Sequence, residues 1–408
     1  MIGKKKLVIV SAYFPPYNHI ASRRIYAFAN YLSDFYEVTV ITSSESKSYA
    51  KNNDKFSVVY LDNGLLGNYT KININDVKFI RFLKILFRKF LMVFNISFYF
   101  SWRQKTKAEL GSYLKSNKVD YILSSYMPID AHEACYEVLT SSNIYDDIFW
   151  IADMRDEMSE HYSLNKSQKK DLRKNELKYS SRANLVTSVS LPILNQYKNN
   201  MPYTQDFLEI RNGYDHNVVA RYEYTDKLRI GYFGSFYGEI KPNIFFDALS
   251  KVDFIQDLEV IIASKIHNYT TPKAIEKSVK KIDFLPYEES ISMMGNMDCN
   301  LLILPYKENR QGVYSGKLFD YLSVGRPILG LINKSDVAAD LIRDFQCDYI
   351  VDPTNVEEIY NMLVKVHNDW REKKLKVANK DKIQQLHRKS QVNLLISFLQ
   401  EKKMDNAK

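Results

Sequence analysis

With 408 residues the chain is too long for one ordinary core and suggests two domains of roughly 200 residues. A composition that is 45% hydrophobic and 26% charged, with 13 Gly and 11 Pro, excludes a disordered or low-complexity polymer. The net charge of +9 favours anionic partners: nucleotide diphosphates, acidic lipid or nucleic acid. No nucleic-acid module is visible, because the one dense basic and aromatic segment is too apolar for that role. Cys135, Cys299 and Cys347 stand far apart with no CxxC pair, which argues against a disulfide framework or zinc site and for a reducing cytoplasm.

Lys4, Lys5 and Lys6 before an apolar run imitate a signal peptide. The run Leu7 to Val10 is too short, however, and Pro15-Pro16 follows without a small-residue cleavage site. It reads instead as a parallel strand covered on both faces. A loop from Ser11 to Ala21 comes next, then a helix carrying Ile25, Phe28, Ala29 and Leu32, then a strand at Val38 to Ile41. This strand–helix–strand unit opens a doubly wound α/β domain.

Between residues 79 and 102, Phe79, Ile80, Phe82, Leu83, Ile85, Leu86, Phe87 and Phe90 to Phe94 alternate with Arg81, Lys84, Arg88 and Lys89. Phe98 to Phe100 and Trp102 follow. The spacing of Arg81, Lys84 and Arg88 predicts a cationic stripe on an amphipathic helix lying on an anionic bilayer surface. The early charges argue against a full span. The same residues also fit a helix packed in the first domain with snorkelling cations.

Further strands are expected at Tyr121 to Leu123, Ile148 to Ile151 and Leu185 to Thr187. A second α/β unit begins near Leu228, with strands at Arg229 to Phe233, Leu258 to Ile262, Ile282 to Phe284, Cys299 to Leu304 and Ile328 to Ile332. The expected domains are residues 1–215 and 226–380, with a helical tail at 381–408 packing back on the first. Two such domains facing each other would bind a ligand between the C-terminal ends of their sheets.

The segment from Tyr314 to Ile328 carries the strongest chemistry. Ser315 is placed to cap a helix, and Gly316 admits a close ligand. The free first-turn N–H groups attract phosphate, to which Lys317 adds a full charge. Asp320 lies on the same face, suited to sugar or ribose hydroxyls. An ordinary helix with a Lys317–Asp320 surface pair fits the local pattern too. Gly234, after a strand, and Ser235 and Lys241 form a second loop able to approach a phosphate. Asp153, Arg155 and Asp156 leave another strand. Their carboxylates could bind an acceptor hydroxyl, act as a base or stabilise charge, with Arg155 on a phosphate, or the three could close their loop as a self-contained ion pair. No D-x-D pair or His cluster supports a metal or other cofactor.

The run from Ser315 to Ile328, following Leu301 to Tyr306, resembles the donor motif of retaining glycosyltransferases of family 4, of the bacterial polysaccharide-assembly type. Other marks arrive in family order: Phe14-Pro15-Pro16 with Arg23 and Arg24, Asp153-Met-Arg-Asp156, Arg211-Asn-Gly-Tyr-Asp215, Tyr232-Phe-Gly-Ser235 with Lys241, and Ile282-Asp-Phe-Leu-Pro-Tyr287. The resemblance spans residues 5 to 365. Two departures stand out: Gly312 occupies the place of the family's first acidic residue, and Ser235 that of an arginine. Lys317 and Lys241 would then supply most of the positive charge, with Arg310 or Arg326 as further candidates; Arg326 reads better as solvated beyond the helix end.

The resemblance implies a GT-B fold, two doubly wound Rossmann-like domains facing across a cleft. It implies a metal-independent, retaining hexosyltransferase that uses a nucleotide diphosphate sugar and needs no cofactor. The acceptor would be a polyprenyl-diphosphate-linked glycan in capsule or O-antigen assembly, on the cytoplasmic face of the plasma membrane. Arg81, Lys84, Arg88 and Lys89 would meet the lipid. A nucleotide-sugar epimerase of the same fold and a catalytically silent assembly partner remain the alternatives.

Overall fold

Continuous apolar runs become the central parallel strands of two sheets, because a strand covered by helices on both faces has no polar side to present. The computed structural model describes residues 4–17, 19–44, 48–64, 67, 76–93, 96–161, 164–218, 222–236, 238, 240–265, 268–306 and 312–405. The chain forms two units, Met1–Ile210 with Val392–Lys408, and Arg211–Gln391.

In chain order the first unit holds β1 (Lys6–Ser11), α1 (Ile20–Leu32), β2 (Glu37–Ser44), β3 (Tyr49–Asn52) and β4 (Phe56–Asp62). Next come α2 (Lys78–Val93), α3 (Phe100–Ser116), β5 (Tyr121–Ser125) and α4 (Asp130–Leu139). The unit continues with β6 (Phe149–Arg155), α5 (Lys166–Ser180), β7 (Leu185–Ser188), α6 (Leu191–Asn200) and β8 (Asp206–Glu209). The eight strands run β3-β4-β2-β1-β5-β6-β7-β8, all pairs parallel except β3 with β4. Leu7, Ile9, Phe28, Leu32, Val40 and Ile151 are among its buried core. Each fully buried side chain of this size contributes about 1.5–3 kcal/mol relative to exposure. The loops after β1, β5 and β6 therefore emerge at one edge, where open α/β sheets place their ligands.

The second unit holds β9 (Leu228–Phe233), α7 (Asn243–Leu249), β10 (Leu258–Ala263), β11 (Val279–Ile282), α8 (Tyr287–Asn296) and β12 (Cys299–Ile303). After these come α9 (Gly316–Ser323), β13 (Ile328–Leu331), α10 (Val337–Asp344), β14 (Asp348–Val351), α11 (Val356–Arg371) and α12 (Lys380–Gln385). Its six strands run β11-β10-β9-β12-β13-β14, all parallel. The strand expected at Ile282 to Phe284 ends at Ile282 instead. Phe284 is exposed, beyond the last residue that pairs with β10.

The last helix, α13 (Arg388–Asp405), returns the chain to the first unit. Val392, Leu395, Ile396 and Leu399 recur at spacings of three and four and sit in that unit's core. Residues 381–391 stay with the second unit, because Arg388 and Tyr214 bond through their backbones and Leu386 is buried in the second unit's core. Among the described residues no helix is long and apolar enough to cross a membrane.

Candidate functional site

In the second unit, α9 fixes the candidate donor loops. Leu318, Phe319, Tyr321 and Leu322 are buried at the spacing of one helical face, so the core holds the helix in place. Gly325 at φ +71° and Pro327 end it. Ser315 occupies the N-cap position with extended backbone, but its hydroxyl makes no capping bond. The first-turn N–H groups of Gly316 and Lys317 have no carbonyl one turn earlier within the helix.

Lys317 does not pair with Asp320. Its Nζ donates to the Tyr232 hydroxyl at 2.7 Å and lies 4.0 Å from the centre of that ring. Asp320 instead accepts from the Tyr287 hydroxyl at 2.7 Å. The Lys317 stem runs across Gly234, which has φ +112°; a Cβ there would stand 2.6 Å from Lys317 Cε. The left-handed backbone favours glycine, and a side chain there would also displace the end of the Lys317 stem. The two loops singled out in the sequence thus meet through one side chain. Burial pushes the Lys317 ammonium down to a pKa of about 7, since desolvation penalises the charged form.

Around this pair, Tyr232 stacks on Phe236 at 4.2 Å. The Ser235 hydroxyl accepts from Ser264 at 3.3 Å. Lys241 lines a cavity of about 470 Å³ with Phe236, Pro242, Asn268, Tyr269 and Thr270. Arg310 lies outside the described residues. Arg326 binds neither of these loops and is half-buried rather than freely solvated. Its guanidinium packs 3.5 Å from the Tyr222 ring centre, and its Nε donates to the Met297 carbonyl at 2.8 Å. The sequence motifs include Tyr232 and Tyr287 but give neither a role of its own, since Tyr232 lies within the apolar run of β9 and Tyr287 opens α8.

In the first unit Asp153 is fully buried. Arg24 grips it with Nη2 at 2.7 Å and Nε at 3.1 Å, and Ser125 and Thr187 each donate at 2.8 Å. Burial alone would raise its carboxyl, but the charge and bonds of Arg24, with Thr187, outweigh that and hold the pKa below the usual range. Four donors and no exposure make Asp153 an anchor for the end of β6 rather than a proton acceptor for a ligand.

Its neighbours differ. Arg155 has φ +56°, a left-handed conformation that costs about 1–3 kcal/mol outside glycine. Its guanidinium donates to the Tyr126 carbonyl at 3.0 Å and to Asp156 at 3.3 Å, and its Nε is buried without a hydrogen-bond partner. Asp156 is partly exposed. Close by, Tyr13 stacks on Tyr17 at 5.4 Å and on His19 at 4.8 Å. Burial, and then Arg155, lower the His19 pKa, which Asp156 partly offsets. Ring faces, a guanidinium and a carboxylate at one sheet edge can hold a polar, phosphate-bearing or glycan ligand.

The α2 helix departs most from expectation. Val77, Phe79, Phe82, Leu86 and Phe90 are all exposed, Phe79 at 69% and Phe82 at 59%. Of the four cations, Arg81 and Lys89 are exposed. Lys84 turns inward to Asp76 at 2.8 Å, and Arg88 packs over Phe98 at 5.0 Å. The predicted outward cationic stripe is split, and the outward face is apolar. Phe94 lies outside the described residues. Among the described residues no three His, Cys, Asp or Glu side chains gather as metal ligands.

Two parallel-sheet α/β units in this order define the GT-B fold. The chain superimposes on a sucrose-phosphate synthase from Thermosynechococcus elongatus with a TM-score of 0.67, over 99% of this chain and 100% of that one, at 10% identity. It matches Anabaena Alr3699/HepE, in complex with UDP and glucose, at 0.62 over 97% and 100%, at 13% identity. The ligand-free lipopolysaccharide outer core galactosyltransferase WaaB matches at 0.56 over 97% and 99%, at 12% identity. No family model matches the chain, and no curated protein sequence does.

Proposed function

We propose that the chain is a glycosyltransferase that moves a hexose from a nucleotide diphosphate sugar to a polyprenyl-diphosphate-linked glycan in capsule or O-antigen assembly. It works on the cytoplasmic face of the plasma membrane, with retention and without a bound metal. The observation that carries this reading is Lys317 lying across Gly234, which brings a cation, a helix start and a glycine loop to one place. In transfer, the bond from the anomeric carbon to the diphosphate breaks and a bond to the acceptor oxygen forms. The acceptor proton leaves on a diphosphate oxygen.

Lys317, the amides of Gly316 and Lys317, and Lys241 offset the charge of the departing diphosphate. Ser235 lies beside them, and Asp320, braced by Tyr287, takes donor hydroxyls. Arg155, with Asp156, takes the acceptor's phosphate side. The HepE complex, a protein of the same fold, carries UDP and glucose. The exposed apolar face of α2, flanked by Arg81 and Lys89, suits a bilayer with anionic headgroups, where a lipid-linked acceptor resides.

The test is a nucleotide-sugar screen on the purified chain. It measures thermal stabilisation first, then release of nucleotide diphosphate with lipid-linked acceptor in anionic vesicles. Stabilisation by one donor and sugar transfer to lipid are expected. Interconversion of the sugar without transfer would indicate an epimerase, and binding with neither reaction a silent partner; either contradicts the proposal.

A further inference from the structure

The second unit has another cavity, at the opposite edge of its sheet. Gly234 and Ser264 follow the ends of β9 and β10, whereas Tyr222 and Tyr224 precede β9 and Arg326 precedes β13. The strands are parallel, so these positions lie at opposite edges, about 20 Å apart for a six-residue strand at ~3.3 Å per residue. The cavity measures about 310 Å³ and is lined by Tyr222, Tyr224, Arg326, Trp370, Lys373 and Val377 among others.

Its chemistry is one-sided. Two cations line it and no carboxylate does. Arg326 Cζ lies 3.5 Å from the Tyr222 ring centre and Lys373 Nζ lies 5.2 Å from that of Tyr224. Both phenols are already committed as donors, Tyr222 to Asp298 and Tyr224 to the Trp370 carbonyl at 3.4 Å. Asp298 also accepts from the backbone and guanidinium of Arg229. Arg326 spends its Nε on Met297, and burial lowers its pKa, so the charged form has lost water there without full replacement.

The Trp370 indole N–H is buried without a partner, a cost of about 1–3 kcal/mol. The Tyr224 and Trp370 rings stack at 5.5 Å and 14°, and Tyr224 remains 46% exposed. A volume at the low end of small-molecule sites, roughly 300–1,000 Å³, has room for one ring and a head group.

We propose that this cavity binds a small aromatic anion, one flat ring bearing a carboxylate or phosphate. The ring lies against Tyr224 and Val377, and Arg326 and Lys373 hold the anionic group. Such a guanidinium–anion contact is charge-assisted and stronger than a neutral hydrogen bond.

The test uses the full chain and three probes, phenyl phosphate, phenylacetate and benzyl alcohol, followed by saturation-transfer NMR and calorimetry. At least one of the two anions should bind saturably, and benzyl alcohol about tenfold more weakly than that anion. Whichever anion binds tighter identifies the head group. Arg326→Lys and Lys373→Glu should each weaken the anion about tenfold, a loss of ~1.4 kcal/mol. Lys373 is exposed, so its variant serves even where Arg326→Lys lowers stability. Absence of saturable anion binding, equal affinity for benzyl alcohol, unchanged affinity in Lys373→Glu, or displacement of the probe by UDP would each overturn the proposal.

Discussion

α2 and α9 both carry apolar residues at spacings of three and four, with several cations among them in α2 and Lys317 alone in α9, and they use their apolar sides in opposite ways. In α9 the apolar side is buried and its first turn is thereby fixed, with Lys317 carried onto Gly234. In α2 two cations turn inward and the apolar side faces out. A helix whose apolar face is satisfied by its own core can hold a ligand-binding turn at a set position. A helix whose apolar face is left outside has surface that water does not favour and that another medium can cover.

The largest expected difference between the two helices is in stability. Phe319→Ala should cost about 3–5 kcal/mol in chemical denaturation, as expected for a buried aromatic, whereas Phe82→Ala should stay within about 0.5 kcal/mol. Equal losses would mean that the two helices are packed alike.

Next in size is lipid binding. Phe82→Ser, Leu86→Ser and Phe90→Ser together should weaken partition onto anionic vesicles at least about a hundredfold, since each apolar side chain buried in lipid is worth about 1.5–3 kcal/mol. Arg81→Gln with Lys89→Gln should cost only about thirtyfold at ~1 kcal/mol per cation, and Lys84→Gln less still, because Lys84 is held by Asp76. A reversed order, with the charges dominating, would restore the electrostatic stripe.

A smaller effect is expected at α9. Buried against Tyr232, Lys317 titrates near pH 7 rather than at its ordinary 10.5. A bound diphosphate favours the ammonium and raises that pKa. Below about pH 7 the lysine is already charged; above it, binding must take up a proton. UDP affinity should therefore fall as pH rises from 7 to 9, by no more than about tenfold per unit. Folding stability carries the opposite sign. The unfolded lysine holds the extra proton between pH 7 and 10.5, so this group's destabilisation is full below pH 7 and fades as pH climbs through that window. Affinity independent of pH over that range would remove Lys317 from the binding step.

The central strands were legible because a strand buried on both faces, such as Leu7 to Val10 or Cys299 to Ile303, leaves an unbroken apolar run. β3 and β8 were not, since four-residue edge strands with exposed or half-exposed side chains carry no such run. The candidate donor residues were legible as two separate local patterns. Their meeting was not, because it depends on a lysine stem crossing from α9 to the loop after β9, more than eighty residues away in sequence.

Asp153 misled for a related reason. The sequence shows an acid after a strand but not Arg24, Ser125 and Thr187 closing on it from other segments. For α2, periodicity identified which residues share a face. It could not say which face turns to the protein, and Asp76 and Phe98 settle that.

The most direct measurement is calorimetric titration of UDP and other nucleoside diphosphates into the intact chain and into Lys317→Met at pH 7. Saturable binding of at least one nucleotide to the intact chain, weakened about ten- to a hundredfold in the variant at unchanged melting temperature, is the expected result for losing a charge-assisted contact of about 1.5–3 kcal/mol. Equal affinity in the two proteins would mean that the diphosphate does not sit where α9 begins.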